Sequence, residues 1–515
     1  MKRRTFLQTS SIVTLPFMLR GMAVTTVGKS SLMNLISPEN DKILVLVQMV
    51  GGNDGLNTFI PLDKYEQLVK VRGDILLPES KVLKVRNENA FHRNLTGFKG
   101  LYDEGKMSII QSVSYPNQNR SHFRSTDIWT SASDSDDFVT SGWLGRYFDV
   151  NHYQFPVGYP NAQYKDPFAI TMGNVVSETC QGTVSNFSST LNDPSKLIQI
   201  YETEASSSQD GYYGDELEYL KNSVRQSNEY SKTIADAFDT GRNVASYPET
   251  NLATQLKNTA RLISGGLSTK IYVVSLGGFD THANQTNGTD TLTGEHADLM
   301  QTLGDAIAAF QNDLKALGVE QRVMGMTFSE FGRRIKANNS FGTDHGTAAP
   351  VFVFGSCAKG GIVGENPNIT DNVTDDEGVA MQYDFRSVYA SLLIDWFGVP
   401  RSEVESILFK DFQHLPIVEG CSLTDVEQEE LIIEANIFPN PAQNSAMLTF
   451  KSNGGSVHVA IYNVIGSLLK TVMDKKVSAG NHEMSIELND LLVGSYFVRI
   501  AEATRQKTLK LVIIK

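Results

Sequence analysis

The chain has 515 residues with 41% hydrophobic and 20% charged side chains, enough to bury a full core in more than one domain. A formal net charge of −13 argues against nucleic acid or an anionic membrane surface as the main partner, and an anionic substrate would need a local cation to bind. Three widely spaced cysteines, Cys180, Cys357 and Cys421, allow one disulfide at most and exclude a thiolate metal site; Cys357 reads as a small buried apolar residue rather than a nucleophile.

Residues 1–36 read as an export signal. Lys2-Arg3-Arg4-Thr5-Phe6-Leu7 and the mildly apolar stretch behind it resemble a twin-arginine leader, with an ordinary secretory leader as the alternative. Arg20 interrupts the stretch, so no transmembrane anchor is expected.

From residue 37 to about 420 the pattern alternates strand and helix. Ile43 to Val50, Met107 to Val113, Ile271 to Leu276, Val323 to Phe328 and Pro350 to Phe354 read as buried strands. Helices are predicted over Asn94 to Glu104, from Asn251 to Gly265, and over Glu295 to Leu317, whose Leu299, Leu303, Ile307, Phe310 and Leu314 form one stripe. Such alternation implies a mainly parallel α/β sheet, whose ligands gather beyond the carboxyl ends of the strands. The stretch of about 132–247 breaks the rhythm with polar runs and a helix from Glu216 to Phe238; it is expected to be an insertion over the sheet edge. Residues 421–436, acidic from Asp425 to Glu430, read as a linker. Six short alternating strands between Ala446 and Ile514, with Asn-Gly-Gly and Ala-Gly-Asn turns, predict a small all-β sandwich over 437–515.

Four loops carry candidate chemistry. Gly51-Gly52-Asn53-Asp54 lacks the lysine of a phosphate-binding loop, so its interest is Asp54, a hard oxygen ligand; alternatively Asp54 is a turn residue. Arg120-Ser121-His122-Phe123-Arg124 puts Ser121 at a helix start, as a nucleophile or a plain N-cap, with Arg120 and Arg124 able to clamp an anion. Gly277-Gly278-Phe279-Asp280-Thr281-His282 offers a carboxylate and an imidazole two residues apart, able to share one metal ion. Glu330 and Arg333 follow the next strand, and Asp344-His345 supplies a second imidazole with Asp344 positioned to orient a ligand. His92 and His296 are expected to be surface or capping residues.

Taken in order, these loops resemble the alkaline phosphatase and sulfatase superfamily, and within it exported bacterial sulfatase-like proteins. Ser141-Gly142-Trp143-Leu144-Gly145-Arg146 adds to the likeness. The resemblance implies an alkaline-phosphatase-like α/β fold and one or two divalent ions (Zn, Mn, Mg or Ca). It implies Asp54, Asp280, His282, Glu330 and His345 as ligands, Ser121 as nucleophile, and Arg120, Arg124 and Arg333 as neutralising the substrate. That substrate would be a small anionic ester or a sulfated or phosphorylated glycan. Phe331 stands where a further ligand histidine is usual, and no sulfatase Cys/Ser-x-Pro-x-Arg sequence surrounds Ser121. The alternative is a non-catalytic surface protein on a degenerate hydrolase scaffold.

Phe438-Pro439-Asn440-Pro441, Tyr462-Asn463 with Gly466, Gly494-Ser495-Tyr496-Phe497-Val498-Arg499 and the basic end at Lys515 resemble the C-terminal sorting domain of Bacteroidetes type IX secretion substrates. This implies the type IX machinery as partner, and secretion or attachment at the cell surface.

Overall fold

The computed structural model describes residues 41–420 and 433–514, apart from 87, 153–154, 197–211, 434, 464–467 and 503–504. The leader, the linker up to residue 432 with Cys421, the Ser206-to-Asp210 run, Gly466 and Lys515 therefore lie outside the described residues, and the last residues of the expected linker already belong to the strand Ala435–Phe438. The chain divides into two compact units, whose main stretches are Asp41–Ser422 and Leu423–Lys515.

The larger unit is built on a nine-stranded sheet. In chain order its strands are β1 (Ile43–Val50), β2 (Met107–Ser114), β3 (Ala169–Met172), β4 (Ser188–Leu191), β5 (Ile271–Gly277), β6 (Val323–Phe328), β7 (Ala349–Phe354), β8 (Gly361–Val363) and β9 (Tyr383–Asp384). Their spatial order is β8-β2-β7-β6-β1-β5-β3-β4, with β9 also on β2. All neighbours are parallel except those of β7, which runs antiparallel to both β2 and β6.

Side chains alternate across a strand, and both faces of this sheet are covered. Ile43, Val45, Val47 and Met49 of β1 pack with the apolar stripes of α1 (Thr96–Asp103), and of two later helices, Asn251–Ser264 and Glu295–Ala316; Leu256, Leu303, Ile307, Phe310 and Leu314 are all buried there. Leu44 and Leu46 face the other layer, with Ile128 and Trp129 of α2 (His122–Ser131), Trp143 and Phe148 of α3 (Trp143–Asn151), and Tyr389 of the helix Phe385–Ser391. Each such aliphatic or aromatic side chain adds about 1.5–3 kcal/mol when fully buried. The predicted strands and helices are present within a few residues of their expected ends. The helix cap is Thr250, one residue before Asn251, and its side chain accepts from the Ala253 N–H.

Two expectations are corrected. The stretch 132–247 does not lie over the sheet edge: it builds that edge, because β3 pairs with β5 and β4 continues beyond it, while α3 enters the core. Cys357 is buried but disulfide-bonded, whereas Cys180 is free and buried. A disulfide suits an oxidising compartment.

The smaller unit is a sandwich. One sheet joins Ala435–Phe438, Ser445–Ser452 and Gly480–Glu487; the other joins Leu468–Val477, Gly455–Asn463, Gly494–Glu502 and Arg505–Ile513, all antiparallel. Leu448, Val459, Ile461, Val498, Ile500 and Leu511 fill its own core.

Candidate metal centre

The direction of β7 decides what meets at one edge of the sheet. β1, β2, β5 and β6 are parallel, so Asp54, His122, Asp280 and Glu330 follow their carboxyl ends on the same side. His345 precedes its strand, and reaches that edge because β7 runs the other way. The 20 residues between Phe328 and Ala349 contain no helix to carry a crossover, so the chain turns back locally.

The loops are held very close together. Gly51 and Gly52 have φ of +123° and +85°, and a Cβ on Gly51 would come within 2.3 Å of the Asp280 nitrogen, so neither site tolerates a side chain. Arg333 binds the loops to each other. Its fully buried guanidinium donates to the carbonyls of Gly51, Gly52 (2.8 Å), Thr343 (2.8 Å) and Phe279 (3.0 Å), and to Asp280 Oδ1 at 2.6 Å. That leaves it no face for substrate, which corrects the expectation that Arg333 neutralises an anion.

Three imidazoles surround Asp280. His122 Nδ1 lies 2.7 Å from Glu330 Oε1, His282 Nδ1 lies 2.9 Å from Asp344 Oδ1, and His345 Nδ1 lies 2.9 Å from the Arg120 carbonyl. Each partner is an acceptor, so each ring carries its proton on Nδ1 and turns a lone pair on Nε2 inward. His345 Nε2 and His282 Nε2 each stand 3.1 Å from Asp280 Oδ1 and 2.9 Å from one another; His122 Nε2 is 3.4 Å from Asp280 Oδ2. His122 Nε2 is buried and has no hydrogen-bond partner among the described residues. Donor atoms sharing a cation at about 2.0–2.1 Å sit about 2.9–3.4 Å apart. Lone pairs facing each other at that spacing repel unless a cation or proton lies between them. The donor set therefore fits one divalent ion, and His122, Asp280 and His345 form a cluster able to hold it.

The charges agree with this geometry. Burial acts to raise the Asp280 pKa, but the hydrogen bond and charge of Arg333, with the neighbouring imidazoles adding to them, hold it at about 2. Burial lowers the His345 pKa; Asp280 and the Arg120 carbonyl oppose it, the charge of Arg333 assists, and the net shift favours the neutral imidazole. Asp344 is likewise lowered: burial opposes, and hydrogen bonds from His282 and Asn338 prevail.

The other expected residues fare differently. Asp54 is 1% exposed, paired with Arg72 Nη1 at 2.9 and 3.1 Å and with Gln285 Nε2 at 2.6 Å. Burial would raise its pKa, but Arg72, His296 and Gln285 lower it, and its oxygens are fully engaged. This corrects Asp54 as a ligand. Glu330, 2% exposed, accepts from the Gly51 N–H at 2.9 Å and stands behind His122. It fixes the His122 ring from beneath. Arg124 donates to the carbonyls of Asp134, Ser135 and Asp137 (2.5–3.2 Å), which corrects it as a substrate clamp. Ser121 occupies the N-cap position of α2 yet makes no side-chain cap bond, and it is exposed. His92 and His296 are buried, not surface residues, and their pKa values fall to about 2 and about 4, chiefly through burial.

Sequence reasoning missed His122, whose neighbour Ser121 drew the attention. Its signal was an imidazole one residue beyond a candidate nucleophile, after a strand. It adds an imidazole to the cluster where Phe331 offers none. Phe331 itself, 1% exposed, packs its ring 4.9 Å from His122 and 4.7 Å from His345 as an apolar floor.

A family model described as "Protein of unknown function (DUF1501)" matches residues 104–396, more than half of the chain. The chain belongs to this family. The DUF1501 segment contains His122, Asp280, His282, Glu330 and His345, while Asp54 lies before it. Residues 436–515 match the secretion system C-terminal sorting domain, which marks the protein as secreted. No curated protein matches the chain. Among solved structures, the dimeric latent PorU from Porphyromonas gingivalis is 20% identical over 16% of this chain and 9% of that one, with a TM-score of 0.14. The chain thus spans about a tenth of the length of the first structures it matches. An alkaline phosphatase superfamily protein from Vibrio parahaemolyticus is 7% identical over 88% and 84% of the two chains (TM-score 0.32). The PsFucS1 sulfatase from Pseudoalteromonas sp. is 12% identical over 87% and 84% (TM-score 0.31). Among the described residues no helix is long and apolar enough to cross a membrane.

Proposed function

We propose that this protein is a secreted metal-dependent hydrolase of phosphate or sulfate esters. One observation carries the proposal: three imidazoles, each fixed through Nδ1, direct Nε2 toward a carboxylate that is ionised at neutral pH. His122, His282, His345 and Asp280 would hold one divalent ion (Zn, Mn, Mg or Ca). Such an ion, when bound, supplies Lewis acidity to an ester oxygen and lowers the pKa of a nearby hydroxyl.

The chain's own residues provide the rest. Ser121 presents an uncapped hydroxyl at the start of α2, where free N–H groups and the helix dipole favour negative charge. Its Oγ would bond to phosphorus or sulfur as the alcohol departs with a proton, and water would then cleave the seryl ester. Glu330 and Asp344 hold His122 and His282 in register, and Phe331 closes the floor against water. The leader-like start and the sorting domain fit export of a folded protein across the inner membrane by the twin-arginine route. The type IX machinery would then release it or attach it at the cell surface.

A non-catalytic binding protein on the same scaffold is the second reading, favoured by the internal engagement of Asp54, Arg124 and Arg333. Metal analysis with assays on p-nitrophenyl phosphate, a diester and an aryl sulfate separates the two. The hydrolase binds about one ion per chain and turns over at least one ester, and Ser121→Ala abolishes turnover with the metal retained. A metal-free, inert protein supports the binding module instead.

A further inference from the structure

Arg334 follows the buried Arg333 in an extended segment, so it faces the opposite way. Its Nη1 lies 2.9 Å from Asp376 Oδ1 and 3.5 Å from Asp344 Oδ2, and its Nε is buried without a hydrogen-bond partner among the described residues. Arg120 approaches the same residue from the nucleophile loop, donating from Nη2 to the Asp376 carbonyl at 2.9 Å. Arg334 thus pairs with the carboxylate of Asp376, whose side chain is 82% exposed, while Arg120 holds the main chain of the same residue.

Both are one link from the imidazole cluster. The Arg120 carbonyl accepts from His345 Nδ1, and Asp344, beside Arg334, accepts from His282 Nδ1. In a chain of net charge −13, this pairing of cations beside an ester-cleaving site has an electrostatic purpose. We propose that Arg120 and Arg334 recognise the tetrahedral oxyanion of the substrate, and that the Asp376 carboxylate is an internal counter-anion which that oxyanion displaces from Arg334. The Asp376 carboxylate is largely solvated, so its pair with the part-buried Arg334 is weak and yields easily, whereas guanidiniums bind a phosphate or sulfate group through paired N–H donors. The inference rests on the ester-hydrolase proposal and adds Arg334 and Asp376 to the Arg120 expected there from the sequence.

The test is calorimetric titration of the full-length protein with inorganic phosphate and, separately, inorganic sulfate, which needs no turnover. Arg334→Gln and Arg120→Gln are expected to weaken binding of the preferred anion about 10- to 100-fold, with Arg334→Lys recovering part of the loss. Asp376→Asn, a change at an exposed position, should tighten it by up to about fivefold. Whichever anion responds more strongly names the ester class. If the wild-type protein binds neither anion, or if the arginine variants bind as wild type, the proposal is overturned. Unchanged or weaker binding by Asp376→Asn overturns the counter-anion role. A response in anion binding without hydrolysis of any ester removes the hydrolase proposal and leaves the recognition pair standing.

Discussion

Two carboxylates at the ends of neighbouring strands have opposite fates. Asp54, after β1, is sealed at 1% exposure against Arg72, and Gln285 takes one of its oxygens. Asp280, after the adjacent β5, stays 48% exposed on its side chain, with three imidazoles turned toward it. A buried charge matched by a fixed cation is structural, because its removal strands the partner in a dry interior. A half-exposed charge ringed by lone pairs is poised to take a ligand. Each carboxylate has a buried arginine beside it, Arg72 or Arg333, so the comparison teaches that position at a strand end nominates a residue for chemistry, while its exposure and its other neighbours decide the matter.

The largest test of this contrast removes the Asp54 partner. Arg72→Met is expected to cost about 3–5 kcal/mol of unfolding free energy in a denaturant titration, and Asp280→Asn less in metal-free buffer, because the Asp280 carboxylate is half exposed and Arg333 keeps its four carbonyl acceptors. Acid should reach the Asp54 side next. His296 and His92 have folded pKa values of about 4 and about 2, below the unfolded value of about 6.5. Their contribution is therefore complete above pH 6.5 and declines as the unfolded chain takes up protons, a loss spread over about pH 6.5 to 4 and below. Thermal melts of His296→Gln should flatten that slope; an unchanged slope would show the histidines do not carry it.

On the Asp280 side, a divalent ion at 100 times its Kd should raise the unfolding free energy by about 2.7 kcal/mol, reversed by chelator. His122→Ala should remove that increment. The smallest expected effect is Glu330→Gln, which keeps shape but loses the charge behind His122, weakening metal affinity about 10- to 100-fold. Metal affinity equal to wild type in either variant would separate His122 from the ion.

Much of this was legible in the sequence. Continuous apolar runs announced β1, β2, β5 and β6, and the loops behind them carried Asp280, His282 and Glu330 to the right edge. Three features were not legible. The direction of β7 depends on pairing with β2 and β6, which an apolar run leaves undetermined. The Asp54–Arg72 pair joins a loop to a helix end 18 positions on, and no local pattern distinguishes that arginine from a solvated one. Arg333 and Arg334 are chemically identical neighbours, and only the alternation of an extended segment sends one inward and the other toward Asp376. The stretch 132–247 misled because its two edge strands are four residues each, too short for alternation to register.

The lone reversed strand also has a kinetic consequence. His345 joins His122 and Asp280 only after β7 has inserted between β2 and β6, elements more than 200 positions apart along the chain. A partly assembled sheet would own some of the nitrogen donors but never the full set. Tight ion uptake would then certify that the last gap in the sheet has closed.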